Sequence, residues 1–481
     1  MAALDFPTGP TNGDIYDEYV YNSAKGAWLR IKDPVPAEKF FIGETAPAGP
    51  VAGQFWLDSS DGISYVYYND GDSSQWLQFG VGREGPLGPT GSLGPTGPTG
   101  ATGSNTLLAL TDTTITDPSS GDSLVYNGTN WVNRPKAGRN LVYNGAMQLA
   151  QRGTSVAGIT AGNTYNTADR WEFSITTLGT WTQTLENDAP SGSGFQKSVK
   201  VLCTTADAAP AAADTLLLSQ KLEGQDLQSI RKGTASAQQL TVSFWIKSNV
   251  TGTYVLRLED LNNTRQVASQ YTVTASATWE KKTITFPADT TGALNNDNGA
   301  SLACQWWLGA GSDRTSGTLP TTWASTVTAN VAVGQTNLAA ATNNYWQITG
   351  VQLEVGPVAS PFDFKPYGQE LAECQRYYYL HAEGNDKGIG FGGWTDTTAF
   401  AIHVSFPVSM RIAPTMVRTS GTAYYQILNP STNFDDFTSF LRATENGGQP
   451  FKSGLTGGTA LGASRIRSNN AATKMAFDAE L

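Results

Sequence analysis

LTVSFWIKS, residues 240–248, decides the fold class. Leu240, Val242, Phe244 and Ile246 fall on one side of an extended chain, and Thr241, Ser243, Trp245 and Lys247 on the other. Successive side chains of a strand point to opposite faces, so the pattern predicts a strand with one face in a core and one toward water. TYVLRLEDL (253–261) repeats it, with Tyr254, Leu256 and Leu258 set against Val255, Arg257 and Glu259. WEKKTITFP from Trp279, SLACQWWLG from Ser301 and YWQITGVQLEVG from Tyr345 read as further strands. Alternation repeated through one block predicts an antiparallel sandwich over 138–367. A block of that size is acceptable as one all-β domain.

Moving outward, AFAIHVSFPV (399–408) places Phe400, Ile402, Val404, Phe406 and Val408 on one face. It predicts a second, smaller sandwich over 368–481, entered through a short helix around Gln369 to Gln375. Its tail, GGQPFKSGLTGGTALG (447–462), reads as a glycine-rich loop, as does GFGGWTD (390–396). On the N-terminal side a small unit recurs in GDIYDEYVYNSAKGAWLRI (13–31), GQFWLDSSDGISYVYYNDGDSSQWLQF (53–79) and GDSLVYNGTNWVNR (121–134). Each has a Tyr-rich strand ending at Asn22, Asn69 or Asn127, a turn, and a strand carrying Trp28, Trp76 or Trp131. Asn-Gly at 127–128 favours a tight hairpin. One hairpin is too small to bury a core by itself, and three copies around an axis bury theirs jointly.

Between the second and third hairpins runs GPLGPTGSLGPTGPTGATG (85–103). Glycine holds every third position at Gly82, Gly85, Gly88, Gly91, Gly94, Gly97, Gly100 and Gly103, with Pro86, Pro89, Pro95 and Pro98 directly after four of them. Only glycine fits the axis where three polyproline-II strands wind together, so the period predicts a collagen triple helix and a parallel homotrimer. A flexible linker needs the composition but not the strict period. At roughly 3 Å per residue the stalk is on the order of 60 Å long. The readings give 1–80 as N-terminal attachment hairpins, 81–104 as stalk and 105–137 as hairpin neck. The large sandwich (138–367) and the distal sandwich (368–481) follow.

Composition excludes several functions. The net charge is −10, charged residues are 15% of the chain, and no basic block appears. A phosphate-neutralising face is absent, which argues against nucleic-acid binding. No apolar run approaches a membrane span, and the N-terminus has no secretory pattern. Cys203, Cys304 and Cys374 match neither a zinc pattern nor a disulfide framework. Neither G-x-S-x-G nor G-x-x-x-x-G-K-[ST] is present. His381 and His403, the two histidines, leave few options for a triad. No carboxylate pair is singled out for glycan hydrolysis. No catalytic residue, cofactor or metal is therefore assigned. NNDNG (295–299) lacks the ligand spacing of a calcium loop and reads as a polar turn.

The hairpin SYVYYNDGDSSQWLQ (64–78), the collagen run and LTDTTITDPSSGDSLVYNGTNWVN from Leu110 together resemble tail fibres of tailed bacteriophages of the marine and cyanobacterial kind. NLVYNGAMQLAQRG from Asn140 and WQITGVQLEVGPVASPF from Trp346 resemble the opening and closing strands of fibre jelly rolls akin to family 4 and 9 carbohydrate-binding modules. ECQRYYY (373–379) and FPVSMRIAPTM (406–416) are similar to the distal module of such fibres. The resemblance implies an all-β, elongated virion protein, made in the host cytoplasm. It implies docking to a tail or baseplate protein near the N-terminus and binding to a host surface polysaccharide, lipopolysaccharide or capsule, near the C-terminus. The alternatives are a polysaccharide-depolymerising tailspike, for which no β-helix repeat is visible, and a structural baseplate connector. In the related modules an acidic residue that helps hold calcium follows the opening strand; NGAMQLAQ is neutral there, which leaves Asp169 and Glu354 as other carboxylates.

Aromatic faces flanked by Asn, Asp or Gln are the residue types a sugar needs. Trp245, Trp307, Tyr377, Tyr379 and Trp394 are the glycan-binding candidates, with Trp279 and Trp323 placed less securely. For each, the competing assignment is packing in a core or trimer interface.

Overall fold

The computed structural model describes residues 8–12, 15–16, 19–30, 40–79, 110–115, 123–126, 129–134 and 139–481. The collagen-type run from Gly82 to Gly103 lies outside them, and so does the Asn127-Gly128 turn. Residues 1–102 form one compact unit and residues 103–481 another. Among the described residues, no helix is long and apolar enough to cross a membrane.

The sandwich block is built from eleven strands. They are β1 (Ser155–Tyr165), β2 (Glu172–Glu186), β3 (Ser198–Thr205), β4 (Thr215–Glu223), β5 (Leu240–Ser248) and β6 (Gly252–Asp260). β7 (Arg265–Val273), β8 (Glu280–Phe286), β9 (Ala300–Ala310), β10 (Ala324–Ser325) and β11 (Tyr345–Val355) complete the set. The hydrogen-bonded order is β8-β5-β11-β3-β2-β4-β9-β6-β7-β10, with β1 beside β2. All of these pairs are antiparallel.

β2 turns this single path into two layers. Its first half pairs with β4 through Thr177 and its second half with β3 from Thr180, with the register broken at each junction. Between them Thr177 and Gly179 take φ of 50° and 76°. A Cβ at Gly179 would lie 2.6 Å from the Thr205 carbonyl, so the bend requires glycine there. The layers then close on one another: the Phe244 ring of β5 meets Tyr271 of β7 at 5.1 Å and Trp306 of β9 at 5.7 Å, both edge-on. Leu240, Val242, Phe244 and Ile246 are all buried, as their alternation requires.

The opposite face of β5 departs from the expected wet surface. Thr241 and Ser243 are also buried, because the segment after β11 folds back over them. Thr241 donates to the Gly356 carbonyl at 2.7 Å, and Phe195, Phe362 and Phe364 form a ring cluster with centroids 4.8–5.1 Å apart.

The distal block has two sheets facing a common core. One is Tyr378–Glu383, Lys474–Asp478 and Thr415–Arg418, with the middle strand central. The other has eight strands, of which Gly388–Trp394 and Ala463–Ser468 are adjacent and interior. Phe477 joins the sheets, its ring within 6.3 Å of Tyr379, Phe406 and Phe440. The tail expected as a loop supplies a strand, Gly447–Lys452, that pairs with three others. Its glycines serve close packing: a Cβ on Gly448 would stand 2.4 Å from the Phe440 ring.

A polar seam fixes the distal block to the sandwich. Arg170 is fully buried, pairs with Glu480, donates to the Lys221 carbonyl at 2.7 Å and lies 3.4 Å over the Tyr377 ring. Arg376 grips Glu223 with two bonds of 2.9 and 2.8 Å, and Arg152 reaches Asp478 at 3.0 Å and Glu480 at 3.2 Å. The turn at 295–299 joins in, with Asn298 donating to the Arg411 carbonyl at 2.7 Å. Cys203, Cys304 and Cys374 are free and buried.

The three hairpins share one cross-strand pair. Tyr21 faces Trp28, Tyr67 faces Trp76 and Tyr126 faces Trp131, with ring centroids 5.4, 5.2 and 5.6 Å apart. Trp56, stacked on Tyr65 at 5.0 Å, is the buried aromatic of the sheet spanning Phe40 to Phe79. Phe40, Ile42, Phe79, Tyr126 and Trp131 are all more than 40% exposed.

Arg170 generates the first prediction. Removing one partner of a buried ion pair costs about 3–5 kcal/mol. Arg170→Met is expected to lower stability by that amount and to split one calorimetric transition of residues 103–481 into two. A single unshifted transition refutes the seam as the joint.

Candidate functional site

The glycan-binding candidates from the sequence do not share a surface. Trp307 is 4% exposed and packs with Leu217, Val255 and Val331 beneath the loop after β9. Trp394 is 2% exposed, edge-on to Phe400 at 5.5 Å in the distal core. Tyr377 is buried in the seam under Arg170. Tyr379 is half-buried, its ring stacked on Phe477 and its hydroxyl 3.2 Å from His381 Nδ1. These four hold the fold together and present no platform to a ligand. Trp245 is half-buried on β5. The polar groups near it are already spent, since Lys247, Trp279 and Gln347 all donate to Asp188 at 2.8–3.2 Å. Trp323 likewise donates to the Pro287 carbonyl at 2.9 Å.

A different aromatic is presented. GFGGWTD belongs mostly to the strand Gly388–Trp394, not to a loop. With Trp394 inward, strand parity turns Phe391 outward, and it is 78% exposed. Phe391 stands directly opposite Arg465 in the neighbouring strand, itself exposed, and Gly388 opposite Arg467. One strand further, Gln426 pairs with Arg467 and then Asn433, while Leu428 pairs with Ser431. Phe391, Arg465, Leu428 and their neighbours border a shallow depression of about 560 Å³ that continues into a second of about 470 Å³.

The charges on this face are arranged unequally. Arg467 is held by Asp386 at 2.6 Å and by Gln426 at 2.9 Å, and Gln426 donates to Ser431 at 3.2 Å. Among the described residues, the Arg465 guanidinium has no hydrogen-bond or ion-pair partner. Gly388 leaves the surface bare: an added Cβ there meets nothing within 4 Å. Arrangements of this kind suit a ring laid on an aromatic with polar groups at its edge. The sequence held the signal, since Phe391 and Trp394 are an odd number of residues apart and cannot face the same side of one strand.

Metal-binding geometry is not found here. Among the described residues no group of three or more His, Cys, Asp or Glu is placed to hold a metal. Asp169 accepts from Gln151 twice, at 2.9 and 2.8 Å, and Glu354 is bonded to Ser360 and Gln352. Asp260, Asp289 and the carbonyls of Thr291 and Gly292 do form an oxygen cage, and the Lys232 ammonium fills it, 2.9–3.1 Å from the last three.

No protein-family model matches the chain. No curated protein matches it either. Among solved structures the chain is similar to the enzymatically active domain of bacteriophage CBA120 tailspike protein 4, at 13% identity and TM-score 0.25, over 47% of this chain and 22% of the tailspike. It is similar to a family 61 carbohydrate-binding module in complex with β-1,4-galactotriose, at 10% identity and TM-score 0.24, over 45% and 99% of the two chains. A family 11 module from Clostridium thermocellum, in complex with a mixed-linked tetrasaccharide, aligns at 10% identity and TM-score 0.22 over 43% and 98%. Values at this level assign neither a family nor a ligand.

His381 reaches the exposed strand from the strand Tyr378–Glu383. Its Nε2 lies 2.6 Å from the Ile389 carbonyl, at the bulge two residues before Phe391. Burial holds the imidazole pKa below its usual 6.5, against the opposing bond to Ile389. The unfolded chain then binds more protons below pH 6.5, so this term weakens stability as pH falls from 7 to 5. Asp169, raised by burial to about 6, titrates in the opposite sense. The test is a comparison of denaturant midpoints for wild type and His381→Gln at both pH values. The wild type should lose more on acidification than the variant; equal losses remove His381 from the account.

Proposed function

We propose that this chain is a non-enzymatic tail-fibre protein of a phage virion, a homotrimer that holds a bacterial surface glycan on the Phe391 face. The observation that carries the reading is one large aromatic, 78% exposed on interior strands of a sheet, beside an arginine without an internal partner. A sugar ring offers C–H groups to such a face and hydroxyls to Asn433. Strands position these groups more rigidly than loops would.

Assembly into a trimer draws support from two features. The glycine period from Gly82 to Gly103 needs three chains. The hairpin segments carry large apolar side chains that a lone copy leaves in water, a pattern that marks an interaction surface. Three tips on one surface gain avidity without new contacts. A tail or baseplate protein is the proposed partner of the N-terminal hairpins.

Retention on a panel of immobilised lipopolysaccharides and capsular polysaccharides tests binding. Phe391→Ala is expected to abolish retention while leaving the melting temperature unchanged, because exposed substitutions shift stability by only about 0.5 kcal/mol. Undiminished retention of that variant refutes the site. Shortening of the bound polymer, read by size exclusion, would replace the fibre with a depolymerase. Separately, Gly94→Ala is expected to lower the melting point of a triple-helical circular-dichroism signal, and light scattering that reports a monomer overturns the trimer.

A further inference from the structure

The Phe391 face also carries a sign. The chain as a whole has a net charge of −10, yet the exposed surface around Phe391 carries Arg465 and Arg467. Asp386 offsets Arg467 at 2.6 Å, so the two side chains differ in what they can offer a ligand. Arg467 is spent as structure, tying the loop at Asp386 to Gln426 of the third strand. Arg465 is directly opposite Phe391 in the ladder and, among the described residues, its guanidinium has no hydrogen-bond or ion-pair partner. A guanidinium presents a planar fork of donors, and its preferred complement is a carboxylate taken through two parallel bonds.

We propose that the glycan held here is acidic, a polysaccharide of hexuronate units whose carboxylate is taken by Arg465 while the ring lies on Phe391. The inference rests on the glycan-binding reading above and specifies its substrate class. Opposite residues in adjacent strands are about 5 Å apart. A six-membered sugar ring carries its C5 carboxylate at its edge, so one residue spans both side chains. A second copy of the chain is the poorer occupant: a symmetric contact through this face would set Arg465 and Arg467 near their own mates, which repel. The bare surface beside Gly388, where an added Cβ would meet nothing within 4 Å, leaves room for the neighbouring sugar.

The experiment uses the full chain and immobilised polymers in two groups. Polygalacturonate, alginate and hyaluronate are acidic; fully methyl-esterified polygalacturonate, dextran and β-1,4-galactan are neutral. The expected result is retention on at least one acidic polymer, elution by added salt, and no retention on the methyl ester. Arg465→Gln should weaken the acidic interaction about tenfold, the loss of one charge-assisted pair, with an unchanged melting temperature. Arg467→Gln is not used for this purpose, because Arg467 ties the fold locally. Retention on neutral polymers that Phe391→Ala abolishes and Arg465→Gln spares overturns the acidic class and leaves the glycan reading standing. Retention on acidic polymers that Arg465→Gln does not weaken overturns the assignment to Arg465. Retention on neither group, by a chain that melts normally, overturns both.

Discussion

Arg170 carries a charge that water cannot reach, and the architecture of residues 139–481 is organised around accommodating it. A buried guanidinium is tolerated only when an opposing charge is near and further partners reach it. Here the opposing charge comes from Glu480, a carbonyl from Lys221, and a ring face from Tyr377. The partners belong to the end of the distal block, to a sandwich strand and to the segment joining the two. Holding one side chain therefore fixes three pieces of chain against one another. Arg170 also has a φ of 73°, two residues before β2 begins at Glu172, so the residue that locks the seam lies at the turn into the strand that bends between the layers. The distal face is consequently held in a defined direction relative to the sandwich.

Strands were the legible part of this fold. Alternation in LTVSFWIKS and AFAIHVSFPV placed the core faces correctly, from Leu240 to Ile246 and from Phe400 to Val404. What covers the second face of β5 was not legible. Thr241 bonds to Gly356 and Phe195 packs on Phe362, contacts between residues more than one hundred positions apart that no local pattern encodes. Glycine misled in a different way. GFGGWTD and GGQPFK look like loops by composition, yet Gly392 and Gly448 sit where a Cβ would strike the Ala401 carbonyl at 1.9 Å or the Phe440 ring at 2.4 Å. Those glycines belong to strands whose partners approach closely.

The same limit explains the site. Composition identifies aromatic residues but not which of them a fold consumes. Trp307, Trp394 and Tyr377 were consumed, because large rings bury the most area per residue and cores recruit them first. In the hairpins, where little core exists, tyrosine and tryptophan are used as cross-strand pairs instead, three times in the same arrangement. The aromatic exposed on the distal sheet is a phenylalanine, the least polar of the three types, and its outward direction follows from strand parity set by Trp394.

Gly388 is the quiet counterpart of these crowded positions. Neither a positive φ nor a neighbouring atom obliges it to be glycine, so nothing in the packing would register a side chain placed there. The fold thus leaves a vacant lot beside its most exposed ring. Substitutions at that position would alter the shape and chemistry of the surface while the core beneath stayed as it is. The exposed side and the core side of these strands answer to different constraints, so the first can change without disturbing the packing of the second.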